Sequence, residues 1–280
     1  KTKFIIMKTI IVPIDFSEQS ENALQVAASI AKKHNAEILV LHMLELNEAM
    51  ISSSEGFHPE QTVFLLKLAE KRINEFLDKP YLVGVSKITP IIKHFKVFGE
   101  VNEIAAKHNG DLIVMGSHGS DGLKEIFVGS NAEKVVRNAN IPVLVIKKKH
   151  EDFKVENFVF ACDYKDESLE SFQKAKDFTE KLGANLHMVY INTPGDHFLS
   201  TKDAYEKVNE FLGKAGAGTG VDIYNDYSVE KGVLNYCESI GADVIGIPTH
   251  GRKGLSHFFM GSIGEDIANH AQLPVITFKI

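Results

Sequence analysis

Cysteine is scarce in this 280-residue chain, long apolar runs are absent, and positive charge is in deficit. Lysine and arginine number 31 against 37 aspartates and glutamates, and the formal net charge of −6 offers no broad attraction to nucleic acid or anionic membrane. Neither is therefore an expected partner. Cys162 and Cys237 form neither a C-x-x-C metal motif nor a disulfide framework, which predicts a reducing, cytoplasmic location.

No apolar run approaches the roughly 18 residues that a membrane-spanning helix needs. The strongest candidate, residues 4–14, is broken by Lys8 and Pro13 and lacks the small-residue cleavage site of a signal peptide. Neither a membrane anchor nor a signal peptide is expected. Met7 resembles a natural start, so we expect residues 1–6 to lie outside the fold.

The chain repeats itself. Three pairs of segments correspond: residues 10–16 with 158–164, residues 111–119 with 243–251, and residues 141–146 with 273–278. The first pair aligns Asp15 with Asp163 at an offset of 148, and the second pair has an offset of 132, so the second copy is 16 residues shorter in its middle. Because a repeat defines the domain count more firmly than length does, we predict two domains, residues 7–149 and 153–280.

Short apolar runs alternate with helical patterns within each copy. The runs, such as residues 38–41 and 143–146, are apolar throughout, as in strands covered on both faces. Between them, small apolar residues recur at the i, i+3, i+4, i+7 spacing of a helix with one buried stripe, as in Leu24, Ala27, Ala28 and Ala31. This order predicts an α/β fold of two repeated doubly wound parallel-sheet domains with five strands each. In the first copy we expect strands at residues 8–14, 37–44, 88–95, 111–116 and 142–147.

Ligands of such sheets bind beyond the carboxyl ends of the strands, where the strand order reverses. Asp15 and the loop after Gly116 both leave strand ends on that side. Asp15 is a candidate to bind ribose, to hold Mg²⁺ through phosphate, or simply to cap the helix that begins near Ser17. Residues 47–60 have weak patterning and are expected to form a mobile loop, most of which the second copy lacks.

A glycine-rich loop follows the fourth strand of the first copy. It reads GSHG at residues 116–119, then nine residues, then GSN at residues 129–131 before a helix. Glycines let main-chain N–H groups approach an oxyanion closely, and Ser130 opens the helix in an S-x-x-E capping box with Glu133. A phosphate there would meet unpaired donors at the positive end of the helix dipole.

Two interpretations of this loop stay open from the residues alone. Glycine is common in ordinary strand-to-helix turns, and neither the Walker G-x-x-x-x-G-K-[ST] motif nor the dinucleotide G-x-G-x-x-G motif is present. The ordered combination favours a phosphate loop, because a strand, two glycines three residues apart, a spacer and a capped helix all follow one another.

These residues resemble the universal stress protein family in its tandem two-domain form. The match includes residues 12–17 (VPIDFS), 41–43 (LHM) and 111–119, together with that family's ATP signature, G-x2-G-x9-G-S, which is complete from Gly116 to Ser130. The resemblance implies an ATP-binding α/β domain of the adenine nucleotide alpha hydrolase-like type, with strand order 3-2-1-4-5. It also implies frequent dimerisation and a regulatory role in the stress response.

The resemblance further implies which residues bind the nucleotide. By position, Asp15 corresponds to the family residue near the adenine and ribose, and Met43 to the residue that packs beside the adenine. The implied set is Pro13, Ile14, Asp15, Met43, Gly116, His118, Gly119, Gly129, Ser130 and Asn131. Mg²⁺ and Mn²⁺ are the candidate ions to accompany ATP.

The second copy departs from the signature. Pro248 replaces the first glycine, which removes an N–H donor and locks φ at about −65°. Ser262 keeps a capping box with Glu265, whereas the retained glycines are explained equally well as turn residues. We therefore predict one strong nucleotide site per chain. The weaker second site would comprise Asp163, Ile191, Gly251, Gly261 and Ser262.

No catalytic pattern stands out. The 12 histidines show neither H-x-x-x-H nor H-E-x-x-H spacing, and His118 and His250 either touch a ligand or a metal bound with it, or are solvated. The first loop has no G-x-S-x-G nucleophile motif. Phosphoryl transfer usually needs a positioned lysine or arginine, and the only one in this loop, Lys124, stands between Asp121 and Glu125. Arg252 and Lys253 enrich the second loop in positive charge, where the glycine is lost. ATP binding is better supported than ATP turnover.

The last strand of each copy, at residues 142–147 and 274–279, should form a sheet edge, and a bare apolar edge invites aggregation. We expect the two edges to cover each other across a pseudo-twofold axis, which would make one chain an intramolecular pseudo-dimer. Whether two chains pair further stays open.

The leading hypothesis is a cytoplasmic tandem protein whose first domain binds ATP as a regulatory module. One rival is a slow ATP hydrolase or nucleotidyl-transferring enzyme built on the same site. The other is a nucleotide-free scaffold whose long loop, from Asn47, recruits a protein partner.

Overall fold

A computed structural model of the chain describes residues 6–44, 59–94, 97–117, 130–195, 198–218, 220–249, 267 and 270–280. The strands are β1 Thr9–Ile14, β2 Glu37–Leu44, β3 Lys87–His94, β4 Leu112–Gly116, β5 Val143–Ile146, β6 Asn157–Ala161, β7 Asn185–Asn192, β8 Val221–Asn225, β9 Val244–Thr249 and β10 Val275–Lys279. The helices are α1 Glu18–His34, α2 Pro59–Leu77, α3 Val97–Lys107, α4 Ser130–Asn138, α5 Leu169–Leu182, α6 Thr201–Ala215 and α7 Val229–Ile240. Two short 3-10 helices cover Pro80–Leu82 and Asp166–Ser168.

The strands form one ten-stranded sheet in the order β3-β2-β1-β4-β5-β10-β9-β6-β7-β8. Within each half the paired strands are parallel, and both halves have the order 3-2-1-4-5. The predicted α/β fold of two doubly wound domains is confirmed. The five strands expected in the first half each lie within one residue of their predicted bounds at either end.

The two halves join through their last strands. β5 and β10 pair antiparallel, with Leu144 opposite Ile276 and Val145 opposite Val275. These four side chains are at most 2% exposed. The two expected edges therefore cover each other, and the sheet continues unbroken from one half into the other.

Helices cover both faces of the sheet. On one face, α1, α2, α5 and α6 pack over a core that runs continuously through both halves. On the other face, α3 and α4 cover the first half and α7 covers the second, over two separate cores. The predicted stripe of α1 is confirmed, because Leu24, Ala27, Ala28 and Ala31 are at most 1% exposed.

The two halves fill equivalent space with different side chains. Ile10 and Val114 in the first half correspond by the repeat offsets to Phe158 and Gly246 in the second. A Cβ atom on Gly246 would lie 2.6 Å from two ring carbons of Phe158, so the large ring requires the glycine. A glycine inside a buried strand is thus explained by volume exchange between neighbouring strands.

Three boundary expectations meet different outcomes. Met7 is 1% exposed, whereas Ile6 is 53% exposed and residues 1–5 lie outside the described residues. The loop expected at residues 47–60 ends earlier than predicted, because α2 begins at Pro59. Residues 47–58 lie outside the described residues. Within the described ranges, none of the helices combines the length and hydropathy required to cross a bilayer.

The C-terminal ends of α1 and α5 meet beside the junction of the halves. The Lys33 ammonium donates to the carbonyl of Leu182, and the Lys181 ammonium lies 3.6 Å from a carboxylate oxygen of Asp111. His34 is the last residue of α1, and its buried Nε2 has no hydrogen-bond partner among the residues described. Burial and, after it, the charges of Lys33 and Lys181 lower the pKa of His34, while Asp111 acts in the opposite direction.

We expect the substitution His34→Leu to make the protein less sensitive to acid. Because the folded-state pKa of His34 is lowered, the unfolded chain takes up this proton more readily, and stability falls as the pH drops below the unfolded value of about 6.5. Leucine is a natural choice because Leu182 occupies the equivalent position in the second half. Urea unfolding from pH 7 to pH 5 should give a smaller loss of free energy for His34→Leu than for the wild type. Equal losses would contradict the assignment.

Candidate functional site

The candidate site lies at the carboxyl ends of β1, β2 and β4, where Asp15 follows β1. The Asp15 side chain is exposed, and its Oδ1 accepts hydrogen bonds from the Ser17 N–H at 3.0 Å and the Ser17 hydroxyl at 2.5 Å. Ser17 in turn is the N-cap of α1, because its Oγ accepts from the Ser20 N–H at 3.2 Å. Asp15 therefore braces the helix start while its carboxylate faces solvent.

The residues before Asp15 are tied to the next strand. Ile14 is 5% exposed, and its carbonyl accepts a hydrogen bond from His42 Nδ1 at 3.1 Å. Pro13 is half-buried and stands opposite Leu41 of β2. Met43, 9% exposed, packs in the core under α3 and α4. Pro13, Ile14, Asp15 and Met43 are thus brought together on two adjacent strand ends.

Phe16 forms a contact cluster that the sequence patterns did not reveal. Its ring lies 4.4 Å from the ring of His42 and 5.6 Å, edge-on, from that of Phe76, while the guanidinium carbon of Arg72 stands 4.4 Å from its centroid. Phe16 has a φ of 66°, and Tyr164, its counterpart in the second half, has a φ of 55°. This backbone form is uncommon outside glycine, and its recurrence indicates that it belongs to the strand-to-helix turn.

Gly116 ends β4 against the first turn of α1. A Cβ atom at Gly116 would lie 2.8 Å from the carbonyl carbon and oxygen of Gln19. The next amide, of Ser117, donates to the carbonyl of Ile146 at 3.0 Å, and the Ser117 side chain is 3% exposed. Packing alone thus requires a glycine at position 116, independently of any ligand, and the Ser117 amide is already bonded within the protein.

The remainder of the predicted loop is only partly described. His118, Gly119 and Gly129 lie outside the described residues. The backbone of α4 begins at Ser130, the expected opening residue, and Asn131 is exposed in its first turn. Glu133, predicted to complete the capping box, contacts the guanidinium of Arg137 one turn further along the helix.

The second half differs at the position equivalent to Asp15. Asp163 is 6% exposed, accepts from the Lys165 N–H at 3.2 Å and the Ser168 hydroxyl at 3.1 Å, and pairs with the Lys165 ammonium at 2.9 Å. Lys207, whose ammonium lies 4.9 Å from the Tyr190 ring centroid, is also close enough for Asp163 to influence it electrostatically. Burial is the larger effect and lowers the pKa of Lys207.

Other residues of the weaker site have mixed outcomes. Ile191 is 9% exposed at the end of β7, and Pro248 is buried in β9 opposite Phe278 of β10. The rest of that loop lies outside the described residues, namely His250, Gly251, Arg252, Lys253, Gly261, Ser262 and Glu265. Among residues with described placement, no group of three histidine, cysteine, aspartate or glutamate side chains is arranged to hold a metal ion.

A family profile matches the chain twice. The profile of the universal stress protein family covers residues 7–147 and 154–279. Two universal stress proteins of Methanocaldococcus jannaschii are similar to this chain. One is 33% identical over 141 residues, and the match covers 50% of this chain and 82% of the relative. The other is 31% identical over 160 residues, covering 52% of this chain and 98% of the relative.

A solved structure extends the similarity to both halves. The crystal structure of a universal stress protein from Archaeoglobus fulgidus matches 97% of this chain and 96% of its own, with a TM-score of 0.70. The sequence identity is 23%, so the match concerns the fold.

Proposed function

The chain belongs to the universal stress protein family, two of whose domains it carries in tandem, and we propose that the first of them binds ATP as a regulatory module. The proposal assigns residues 7–149 to that domain and 153–280 to the second. The observation that carries it is the difference between two equivalent carboxylates. Asp15 is exposed at the strand ends, whereas Asp163 is buried and paired with Lys165.

This difference matters because a ribose hydroxyl can reach a carboxylate at the protein surface, such as that of Asp15, whereas the carboxylate of Asp163 lies in the protein interior. The hydroxyls of a ribose donate well to an exposed carboxylate such as Asp15. The Asp163 carboxylate already accepts from the Lys165 N–H and the Ser168 hydroxyl and pairs with the Lys165 ammonium, so a ribose would have to displace these contacts. The second site is therefore closed to ribose unless Lys165 moves away.

In this proposal, the phosphates bind to the loop that completes the family signature. Gly119, Gly129 and Ser130 would supply main-chain donors at the N-terminus of α4, where the helix dipole favours negative charge. In the second half Pro248 removes one such donor at the equivalent of Gly116. The proposed ligand set is that implied by the sequence, with Mg²⁺ or Mn²⁺ entering on the phosphate oxygens.

We propose that the protein binds ATP without hydrolysing it. We also propose that it is located in the cytoplasm. Both cysteines are buried and unpaired, and burial raises the pKa of the Cys237 thiol to about 12. Such thiols are inert as nucleophiles, so no cysteine chemistry is assigned to the protein. A slow ATP hydrolase on the same site remains the rival, and steady release of phosphate by the purified chain would favour it.

The substitution Asp15→Asn tests the proposal because asparagine keeps the acceptor that braces Ser17 but loses the charge. Calorimetric titration of the wild type with ATP and Mg²⁺ should give one site per chain, and Asp15→Asn should weaken it by about tenfold. The matched variant Asp163→Asn should leave the ATP affinity unchanged and lower the stability. Two equivalent sites per chain, or equal losses in both variants, would refute the proposal.

A further inference from the structure

The C-terminal end of α4 is held by an asparagine of the neighbouring helix. The side-chain amide of Asn102, in α3, donates to the carbonyl of Asn138, the last residue of α4, at 2.7 Å. The side-chain oxygen of Asn102 accepts from the N–H of Asn140 at 3.2 Å. The last carbonyls of a helix have no partner within the helix, so Asn102 satisfies one of them and also fixes the turn that follows.

The second half of the chain takes part in this contact. Lys279, the last residue of β10, donates from its ammonium to the side-chain oxygen of Asn140 at 2.8 Å. The carbonyl of Lys279 accepts from the ammonium of Lys174, in α5, at 2.9 Å. Lys279 is therefore held within the second half by its main chain and reaches the first half with its side chain. We call Lys279, Asn140, Asn102 and Asn138 the cross-junction network.

The cross-junction network runs in one direction. By the repeat offset of 132, Asn102 corresponds to Leu234, whose side chain neither donates nor accepts a hydrogen bond. Asn138 corresponds to His270, whose Nδ1 lies 2.5 Å from a carboxylate oxygen of Glu230. The same clamp cannot form at the equivalent place in the second half, so the second half supports a helix of the first without the reverse contact.

The hydrogen bonds at this end affect the position of the whole helix. α4 packs on the sheet through Ala132 and Val135, which are 3% and 1% exposed. Burial of small apolar side chains is non-directional, so it fixes the distance from the sheet better than the position along the helix axis. Hydrogen bonds are directional. With nine residues, α4 is only about 13 Å long, so a shift at Asn138 also moves Ser130 at the other end.

We propose that Lys279 and Asn102 are positioning residues, through which the second half holds α4 in place for the phosphates of the nucleotide. The inference rests on the proposed function, in which Ser130 and the N-terminus of α4 bind phosphate. It gives the second half a role in nucleotide binding by the first, without any contact to the ligand. Loss of the network should leave the adenosine contacts at Asp15 and Met43 unchanged, because these lie at the ends of β1 and β2.

The test compares ATP with adenosine as ligands of the full-length chain. Lys279→Met removes the donor but keeps an apolar stem, and it should weaken ATP binding by about fivefold while changing adenosine binding by less than about twofold. Asn102→Leu, which copies the second half at this position, should give the same selective loss. Lys279→Arg keeps a donor and should bind ATP like the wild type.

Two comparisons separate positioning from a general weakening of the junction. Lys181→Met removes another ammonium that crosses the junction, 3.6 Å from Asp111, and should bind ATP like the wild type. Lys279→Met combined with Asn102→Leu should weaken ATP binding no more than the stronger single change does, because both substitutions act through one network.

Hydrogen exchange without nucleotide tests the support of α4 directly. In Lys279→Met the amides of α4 should exchange faster than in the wild type, while those of α1 keep their protection. Unchanged ATP affinity in Lys279→Met, equal losses for ATP and adenosine, or unchanged exchange in α4 would each overturn the inference. A wild-type chain that binds no ATP would overturn the proposed function, whereas unchanged exchange in α4 with ATP binding intact would overturn this inference alone.

Discussion

The substitution Gly116→Val should destabilise the protein by about 3 kcal/mol and abolish nucleotide binding. A Cβ atom at this position meets main-chain atoms of Gln19 at 2.8 Å, and a backbone cannot move aside as a flexible side chain can. The first turn of α1 is held in place by the Ser17 cap and by Asp15. The strain must therefore displace the end of β4 or the start of α1, and both border the site. Chemical unfolding and ATP titration measure the two effects.

Gly213→Ala is the matched control. Gly213 lies in α6, and an added Cβ there has no atom within 4 Å. Because alanine favours the helix more than glycine does, this change should stabilise the protein by about 0.5–1 kcal/mol. If Gly116→Val is as stable as the wild type, this result would contradict the close approach of α1 to β4.

The substitution Ile276→Asp should destabilise the protein by more than about 4 kcal/mol, because it puts a carboxylate into the junction of the halves. Ile276 is 0% exposed and stands opposite Leu144, which is 1% exposed. Both side chains lie in the core that runs through both halves, so the damage should reach the first half although the substitution is in the second.

Ile276→Val is the control, because it shortens the same side chain without introducing a charge. It should lower the free energy of unfolding by only about 1 kcal/mol. Hydrogen exchange measures the reach of the effect. In Ile276→Asp the amides of β5 should lose protection together with those of β10. Loss of protection confined to the second half would contradict a shared core.

Most of the fold was predictable because its signals are local. Apolar runs such as residues 143–146 indicate strands buried on both faces, and the repeat gives the domain count. The antiparallel pairing of β5 with β10 followed from a general need to cover apolar edges. The strands rest on patterns that a few consecutive residues carry, and the repeat on the likeness of such patterns at offsets of 148 and 132 residues.

The parts of the site that were missed depend on contacts between distant segments. Nothing in the sequence around Gly116 shows that Gln19 lies against it, so the sequence offered only a phosphate loop or an ordinary turn as the reason for this glycine. Asp15 and Asp163 align in sequence, yet one is exposed and the other buried with Lys165.

The stoichiometry of bound nucleotide tests the central claim most directly. Native mass spectrometry of the full-length chain, incubated with excess ATP and Mg²⁺ and then exchanged into volatile buffer, counts the ligands on each chain. The account predicts one ATP per chain in the wild type and a lower occupancy, in keeping with about tenfold weaker binding, in Asp15→Asn. Two ATP molecules per chain, or none, would contradict it.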